Sequence, residues 1–120
     1  MPCVLLIGKD WSTRALLRAE LLEEGVQVVA LEDTGEAVMA VEEAGGLPSL
    51  IIADLSSSDD PEADADSLAP YARQVPIWVI AARTVTLLKD LKDRGFEVVL
   101  LKPLDAGELV EQIKLQLKKQ

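Results

Sequence analysis

Five short runs of mostly aliphatic residues recur along the chain, and each is four to six residues long. Between these runs, apolar residues are spaced three or four positions apart, which is the pattern of a helix with one buried face. Continuous aliphatic runs are typical of strands that helices cover on both sides. The predicted strands are Cys3–Ile7, Val26–Leu31, Leu50–Ala53, Ile77–Ala82 and Phe96–Leu101.

A helix is predicted to follow each strand. Asp33 and Asp105 each stand three residues before a glutamate, in the form of a capping box, so each carboxylate can accept a hydrogen bond from the backbone N–H three residues later. Glycines mark several of the expected helix ends. The predicted helices are Ser12–Glu24, a segment between Asp33 and Gly45, a weak helix over Ser67–Arg73, Val85–Arg94, and a last helix from Asp105 to about Lys118.

The polar stretch from Ser56 to Asp66 interrupts this alternation. It is rich in aspartate and could attract a divalent cation, but it lacks the glycine and the terminal glutamate of a calcium-binding loop at the proper spacing. We therefore predict a solvated, mobile loop here. Pro61 and Pro70 indicate that the third helix is short or displaced.

Five strand–helix units in 120 residues predict an α/β fold, a doubly wound sandwich with helices on both faces of a parallel sheet. The length favours a single domain over residues 1–120. Aromatic residues make up only 3% of the chain, so the core is expected to be aliphatic.

The composition excludes several kinds of function. The net charge is −9, which argues against nucleic-acid binding because that binding depends on lysine and arginine. The chain has no histidine and one cysteine, Cys3, so neither a Ser-His-Asp triad nor an internal disulfide is possible. No apolar stretch reaches the ~20 residues that span a bilayer, and no signal peptide is visible, so we expect a cytoplasmic protein without membrane contact.

The charge is divided unevenly along the chain. Residues 1–72 hold 15 acids and 3 bases, whereas residues 73–120 hold 6 acids and 9 bases. This division is consistent either with ordinary solvated surface or with a partner surface on the C-terminal third.

Two motifs resemble the receiver domain of two-component response regulators. Pro48–Leu55 resembles the third strand of that family, which presents the phosphoacceptor aspartate, and Val99–Leu104 resembles the fifth strand with its Lys-Pro ending. The resemblance extends over nearly the whole chain. It implies a (βα)5 flavodoxin-like sheet of strand order 2-1-3-4-5. It also makes Asp54 the phosphoacceptor equivalent and Lys102 the equivalent of the family's phosphoryl-contacting lysine.

The other functional positions of the family are changed in this chain. The acidic pair that helps to hold Mg²⁺ falls on Gly8 and Lys9, with Asp10 adjacent. A shift by one residue would place Lys9 and Asp10 over that pair instead, but the spacing to Arg14 disfavours the shift. The switch hydroxyl falls on Ala81 and the switch aromatic on Val99.

These departures predict a degenerate receiver, or pseudo-receiver, that is not switched by Mg²⁺-dependent phosphorylation. We hypothesise that the Lys9 ammonium pairs with Asp54 where the metal would lie, alongside Lys102. The alternative is that Lys9 points to solvent.

The predicted function is a non-enzymatic protein–protein interaction module in signal transduction, with no metal or cofactor. One alternative is a working receiver that a histidine kinase phosphorylates on Asp54, which would require Mg²⁺. A second alternative is a flavodoxin-like small-molecule binder.

Expected partners are a histidine kinase, an output domain or a second copy of the chain. The resemblance favours a partner surface made by the fourth helix, the fifth strand and the fifth helix. The alternative is that the lysines on these elements contact only solvent. Its basic residues are Arg83, Lys89, Lys92, Arg94, Lys114 and Lys118.

Overall fold

The sheet of the computed structural model contains five strands, all parallel, in the order β2-β1-β3-β4-β5. The structure describes residues 3–43, 46–82 and 91–119. This topology confirms the doubly wound α/β fold and the 2-1-3-4-5 strand order. The strands are β1 (Cys3–Gly8), β2 (Gln27–Leu31), β3 (Leu50–Asp54), β4 (Ile77–Ala81) and β5 (Val98–Leu101).

Helices lie on both faces of the sheet. They are α1 (Trp11–Glu23), α2 (Thr34–Glu43), α3 (Pro61–Leu68) and the C-terminal helix (Ala106–Lys118), and a 3₁₀ turn over Ala69–Tyr71 follows α3. Most of the predicted helix Val85–Arg94 lies outside the described residues, but residues 91–93 are helical. In the part of the chain that the structure describes, no helix is long and apolar enough to cross a membrane.

The core is aliphatic and has two layers, because alternate strand residues point to opposite faces of the sheet. Leu5, Ile51 and Val79 pack in one layer with α2 and α3. Leu6 and Ile52 pack in the other layer with α1 and the C-terminal helix. The two edge strands, β2 and β5, are only partly buried.

The capping signals in the sequence are confirmed. The Glu36 N–H donates to Asp33 Oδ1 over 2.8 Å, and the Glu108 N–H donates to Asp105 Oδ1 over 3.0 Å. These bonds satisfy backbone donors that a helix start would otherwise leave without a partner.

The predicted bounds of the third helix were wrong, whereas the expectation of a short or displaced helix is confirmed. Helix α3 begins at Pro61, inside the stretch that we expected to be a mobile loop, and ends at Leu68. Proline is favoured at the first position of a helix, and Asp60 caps this start by accepting from the Ala63 N–H. Glu62 and Asp64 lie in the first turn, where the helix dipole favours negative charge. The acidic composition thus marks a helix start.

Gly25 follows Glu24, the C-cap residue of α1. Its φ of +79° lies in the left-handed region, and no heavy atom lies within 4 Å of an added Cβ. Gly25→Ala should therefore lower the free energy of unfolding by about 1 kcal/mol through backbone strain alone. Gly46→Ala is the matched control, since its added Cβ also meets open space but its φ is not left-handed. Urea unfolding should show no loss for Gly46→Ala, and an equal loss for both variants would contradict the assignment.

Candidate functional site

The site lies at the carboxyl ends of the parallel strands, where ligands bind in open α/β sheets. Gly8 ends β1 directly opposite Asp54, which ends β3. A Cβ at Gly8 would lie 3.0 Å from the Asp54 Cβ, so a side chain at this position would crowd the carboxylate. The Asp54 side chain is only 4% exposed.

Lys102 follows β5 and provides the cation closest to this buried carboxylate. Its Nζ lies 3.1 Å from Asp54 Oδ2, as an ion pair without hydrogen-bond alignment. The same Nζ donates to Asp10 Oδ2 over 2.5 Å and to Thr13 Oγ1 over 3.2 Å. Partial burial lowers the pKa of Lys102, but the carboxylates of Asp10 and Asp54 outweigh that effect, and the net pKa is raised. The ammonium therefore stays charged between two carboxylates.

Asp10 serves two purposes at once. It is the N-cap residue of α1, where its Oδ1 accepts from the Thr13 N–H over 3.5 Å and its Oδ2 accepts from Thr13 Oγ1 over 2.7 Å. Its Oδ2 also accepts from Lys102. The bond from Lys102, with the smaller contribution of Thr13, lowers the pKa of Asp10 from 3.8 to about 2.

The other oxygen of Asp54 is held by the chain that follows it. Asp54 Oδ1 accepts from the Ser56 N–H over 3.0 Å and from Ser56 Oγ over 2.6 Å. With Lys102 beside Oδ2, both oxygens of the carboxylate are occupied by groups of the protein itself.

Lys9 does not pair with Asp54, and our hypothesis of that pair was wrong. The Lys9 Nζ lies 2.7 Å from Asp59 Oδ2, and its side chain is 40% exposed. The hydrogen bond that Lys9 donates to Asp59, together with the charge of that carboxylate, raises the pKa of Lys9, with smaller contributions from Asp64 and Asp33. Asp59, in the β3–α3 connection, lies near the end of β1, so the Lys9 ammonium pairs with this exposed carboxylate and not with the buried carboxylate of Asp54.

A cleft of about 280 Å³ opens beside Asp54, between the ends of β1 and β3 and the start of α2. Lys9 is the one cation among the described residues that line it. The carboxylates lining it are those of Glu32, Asp33, Asp54, Asp59, Asp60 and Asp64.

The two positions that match the family's switch residues are apolar. Ala81 is buried, and its carbonyl accepts from the Lys102 N–H over 3.1 Å, so β4 and β5 remain paired up to the lysine. Val99 is partly buried and packs in the same core layer as Ala81. Neither position carries a hydroxyl or an aromatic ring.

Four of the six basic residues that we assigned to a partner surface lie in the described ranges, and Arg83 and Lys89 lie outside them. Arg94 pairs with Asp66 at 3.0 Å. Lys114 pairs with Glu24 at 3.1 Å and with Glu111 at 3.4 Å, so these two cations serve contacts within the fold. Lys92 and Lys118 are exposed.

Comparison with known proteins gives both a sequence relative and structural neighbours, although no model of a protein family matches the chain. An uncharacterized 14.6 kDa protein in the sodA1 3′ region of Leptolyngbya boryana is 30% identical over 92% of this chain and 86% of that protein. The chain belongs to the same family as that protein.

The signal receiver domain of a LuxO repressor protein from Vibrio parahaemolyticus is 28% identical to the chain, with a TM-score of 0.80 over 98% of this chain and 91% of that one. The chain is a domain of the response regulator receiver type. A CheY-like receiver domain from Methanospirillum hungatei JF-1 shares the fold at 18% identity, with a TM-score of 0.83 over 99% of this chain and 95% of that one.

Mg²⁺, which the receiver family implies, does not fit the residues of this receiver domain. The cation would need carboxylate oxygens, yet one ammonium already holds both Asp10 and Asp54. Gly8 offers no ligand, and Lys9 places its positive charge on the cleft beside Asp54. Within the described ranges, no three His, Cys, Asp or Glu side chains are grouped so that they could hold a metal ion.

From the sequence, Asp10 was expected beside the changed acidic pair, or on it after a shift by one residue, and Thr13 and Ser56 were not assigned to the site. A local signal was present in each case. Asp10 and Thr13 have the spacing of an N-cap residue and its N3 position. Ser56 stands two residues after Asp54, and an aspartate side chain commonly accepts a hydrogen bond from the backbone N–H two residues later.

The Asp10 ion pair should make stability depend on pH. Because the folded pKa of about 2 is below the unfolded value of 3.8, the contribution is complete above about pH 5 and is lost as the pH falls towards 2. Asp10→Asn keeps a good N-cap but removes the charge. Urea unfolding between pH 7 and pH 2.5 should show a smaller loss for this variant than for the wild type. Asp105→Asn makes the same change at another N-cap, which forms no ion pair among the described residues, so the difference between the two variants isolates the Lys102–Asp10 pair.

The two lysines at the site should differ in their effect on stability. Lys102→Met leaves the buried Asp54 without its cation and should lower the free energy of unfolding by about 3 kcal/mol, the lower end of the range for buried pairs, because Lys102 is partly exposed. Lys9→Met removes an exposed pair and should cost less than about 1 kcal/mol. Equal losses in denaturant unfolding at pH 7 would contradict this ranking.

Proposed function

We propose that this receiver domain is a non-enzymatic protein–protein interaction module of signal transduction, and that Mg²⁺-dependent phosphorylation does not switch it. One observation carries the proposal: the ammonium of Lys102 already joins Asp54 to Asp10, and the positions matching the family's acidic pair hold Gly8 and Lys9.

The chemistry of phosphoryl transfer supports the first part of this proposal. A phosphoryl group carries negative charge towards a carboxylate, and catalysis consists mainly of positioning the group and neutralising its oxygens with cations. In this chain Lys102 can supply one positive charge, but Asp10 competes for it at 2.5 Å. Asp54 Oδ1 is engaged by Ser56, and Oδ2 would have to lose its ion pair before it could attack.

The apolar residues at the switch positions support the second part. A ligand shifts a conformational equilibrium only by contacts that differ between the two states. Ala81 has no hydroxyl that could donate a hydrogen bond to a phosphoryl oxygen. Val99 has no aromatic ring that could change its orientation when such a bond forms.

Partners of this module are proteins, as for receiver domains in general. We propose the surface of the fourth helix, β5 and the C-terminal helix, with a histidine kinase, an output domain or a second copy of the chain as the partner. Strand β5 is an edge strand whose residues Val98–Leu101 are all partly buried. Lys92 and Lys118 are exposed on the elements beside it.

A nucleotide or flavin is not favoured as a ligand of the cleft. Six of the residues that line it are carboxylates, and they repel the phosphate groups that such ligands carry.

Intact-mass spectrometry after incubation with acetyl phosphate and Mg²⁺ tests the proposal. We expect no phosphate adduct on the wild type, because the cation that phosphoryl transfer needs has no ligand set. A stoichiometric adduct that disappears in Asp54→Ala would show instead a working phosphoreceiver.

The double variant Gly8→Asp/Lys9→Asp tests whether the missing acidic pair is what prevents Mg²⁺ binding. It supplies that pair and leaves Asp54 and Lys102 in place. It should gain Mg²⁺ affinity relative to the wild type in isothermal titration calorimetry. Circular dichroism controls for the crowding of Asp54 by the new side chain at position 8.

A further inference from the structure

An apolar groove of about 270 Å³ lies between edge strand β2 and helix α2, away from the carboxyl ends of the strands where the Asp54 site lies. We call it the β2–α2 groove. Its walls include Val29 and Leu47, whose exposed fractions are 45% and 46%. Large apolar side chains exposed around a groove are typical of a site that another molecule covers. The lining residues are Cys3, Leu5, Val29, Ala40, Val41, Gly46, Leu47 and Pro48.

The surroundings of the groove are negatively charged. Residues 19–72, which contain β2, α2 and α3, include no lysine or arginine. Glu42 and Glu43 end α2 next to the groove residues Ala40 and Val41, and both are exposed. Glu42 accepts a hydrogen bond from the Tyr71 hydroxyl over 3.0 Å, so Glu43 is the carboxylate at this end without a hydrogen bond from the described residues. In the described part of the chain, no ion pair reaches either glutamate. An occupant that complements the groove therefore combines an aliphatic side chain with positive charge.

The C-terminal helix carries such a combination. Leu115 is 60% exposed, because it lies on the side of the helix opposite to the buried residues Leu109 and Ile113. Lys118 and Lys119 follow it at i+3 and i+4, and both are exposed, so two cationic residues lie on the same side of the helix end as Leu115. Glu111, at i−4, is paired with Lys114.

The groove and Leu115 of one molecule cannot meet. Helix α2 packs on one face of the sheet, where Ala37 joins the core layer of Leu5 and Ile51, whereas the C-terminal helix packs on the other face. A contact between them must therefore join two molecules. Such a contact is heterologous, since each copy uses a different surface, and it can continue into a chain or close into a ring.

We propose that the β2–α2 groove receives Leu115 of a second copy of this chain, while Lys118 and Lys119 of that copy face the acidic end of α2. The opposite charge balance of residues 1–72 and 73–120 favours this orientation over contacts between like surfaces. The association deepens the part of the proposed function that names a second copy as a partner, but it does not depend on the state of Asp54, so its failure is distinguishable from a failure of the phosphorylation test.

Sedimentation velocity of the wild-type protein over a concentration series gives the first test. The weight-average mass should rise with concentration, and the association constant should fall when the salt concentration is raised, because part of the contact is ionic. A wild type that remains monomeric up to millimolar concentration would overturn the proposal.

Two variants separate the two surfaces. Val29→Lys places a cation in the groove, and Leu115→Glu removes the aliphatic anchor, so each should lower the association constant at least tenfold. Met39→Lys and Leu22→Glu introduce the same charges at exposed residues outside the groove and outside the C-terminal helix, and both should associate as the wild type does. Thermal unfolding establishes that all four variants are folded.

Mixing the two defective variants distinguishes a heterologous contact from a symmetric one. Val29→Lys retains an intact Leu115, and Leu115→Glu retains an intact groove, so together they should form a 1:1 heterodimer and nothing larger. If the mixture stays monomeric while the wild type associates, another surface or another partner occupies the groove, and the proposal is wrong. The same conclusion follows if Leu22→Glu loses association as strongly as Leu115→Glu does.

Discussion

The ammonium of Lys102 joins three segments that are far apart in the sequence. It lies 3.1 Å from Asp54 at the end of β3 and 2.5 Å from Asp10 at the start of α1, and it follows β5 itself. Asp54 is the buried member of this group, and a buried carboxylate without a cation is strongly destabilising. The carboxyl end of β3, the carboxyl end of β5 and the start of α1 are therefore held together by the same cation. This dependence explains why Asp10 combines a capping role with an ion pair.

The same cation limits what the site can do. A receiver that takes up phosphate must release Asp54 from its partners, recruit a metal and read the new group through a switch residue. In this chain, releasing Asp54 requires breaking its hydrogen bonds with Ser56 and its ion pair with Lys102. The positions of the family's acidic metal ligands hold Gly8 and Lys9, and Ala81 has no hydroxyl. Under the proposed function these three obstacles arise from different elements, so restoring one residue would not restore the cycle.

The sequence predicts the strands and two of the helix starts well because their signals are local. A continuous aliphatic run identifies a buried strand, and the spacing of Asp33 to Glu36 identifies a cap from four residues. The start of α3 also has a local signal, with Asp60 as the cap and Pro61 at the first helical position, but the acidic composition of the stretch concealed it. Composition is a weaker guide than position, since the same carboxylates that favour a loop also favour the first turn of a helix.

The partner of Lys9 could not be predicted, because it depends on where the β3–α3 connection places Asp59, fifty residues later in the chain. The short range of a salt bridge makes such a pairing sensitive to a shift of a few ångströms in a loop. By contrast, the Lys102–Asp54 pair follows from the strand order, which brings the ends of β3 and β5 to the same edge of the sheet. Pairs fixed by topology are thus open to prediction from sequence, whereas pairs fixed by loops are not.

The distribution of charge connects the site with the rest of the surface. Residues 19–72 contain no cation, and four ion pairs bring cations to this segment from outside it: Lys9–Asp59, Arg94–Asp66, Lys102–Asp54 and Lys114–Glu24. These pairs relieve the mutual repulsion of the carboxylates at the strand ends, at α3 and at the end of α1. Among the described residues none of them reaches α2, so the acidic charge beside the β2–α2 groove stays uncompensated within one molecule. Negative charge and exposed apolar side chains therefore lie on the same face of the domain, so a partner that is both cationic and apolar would be attracted by the charge and would bury the apolar surface.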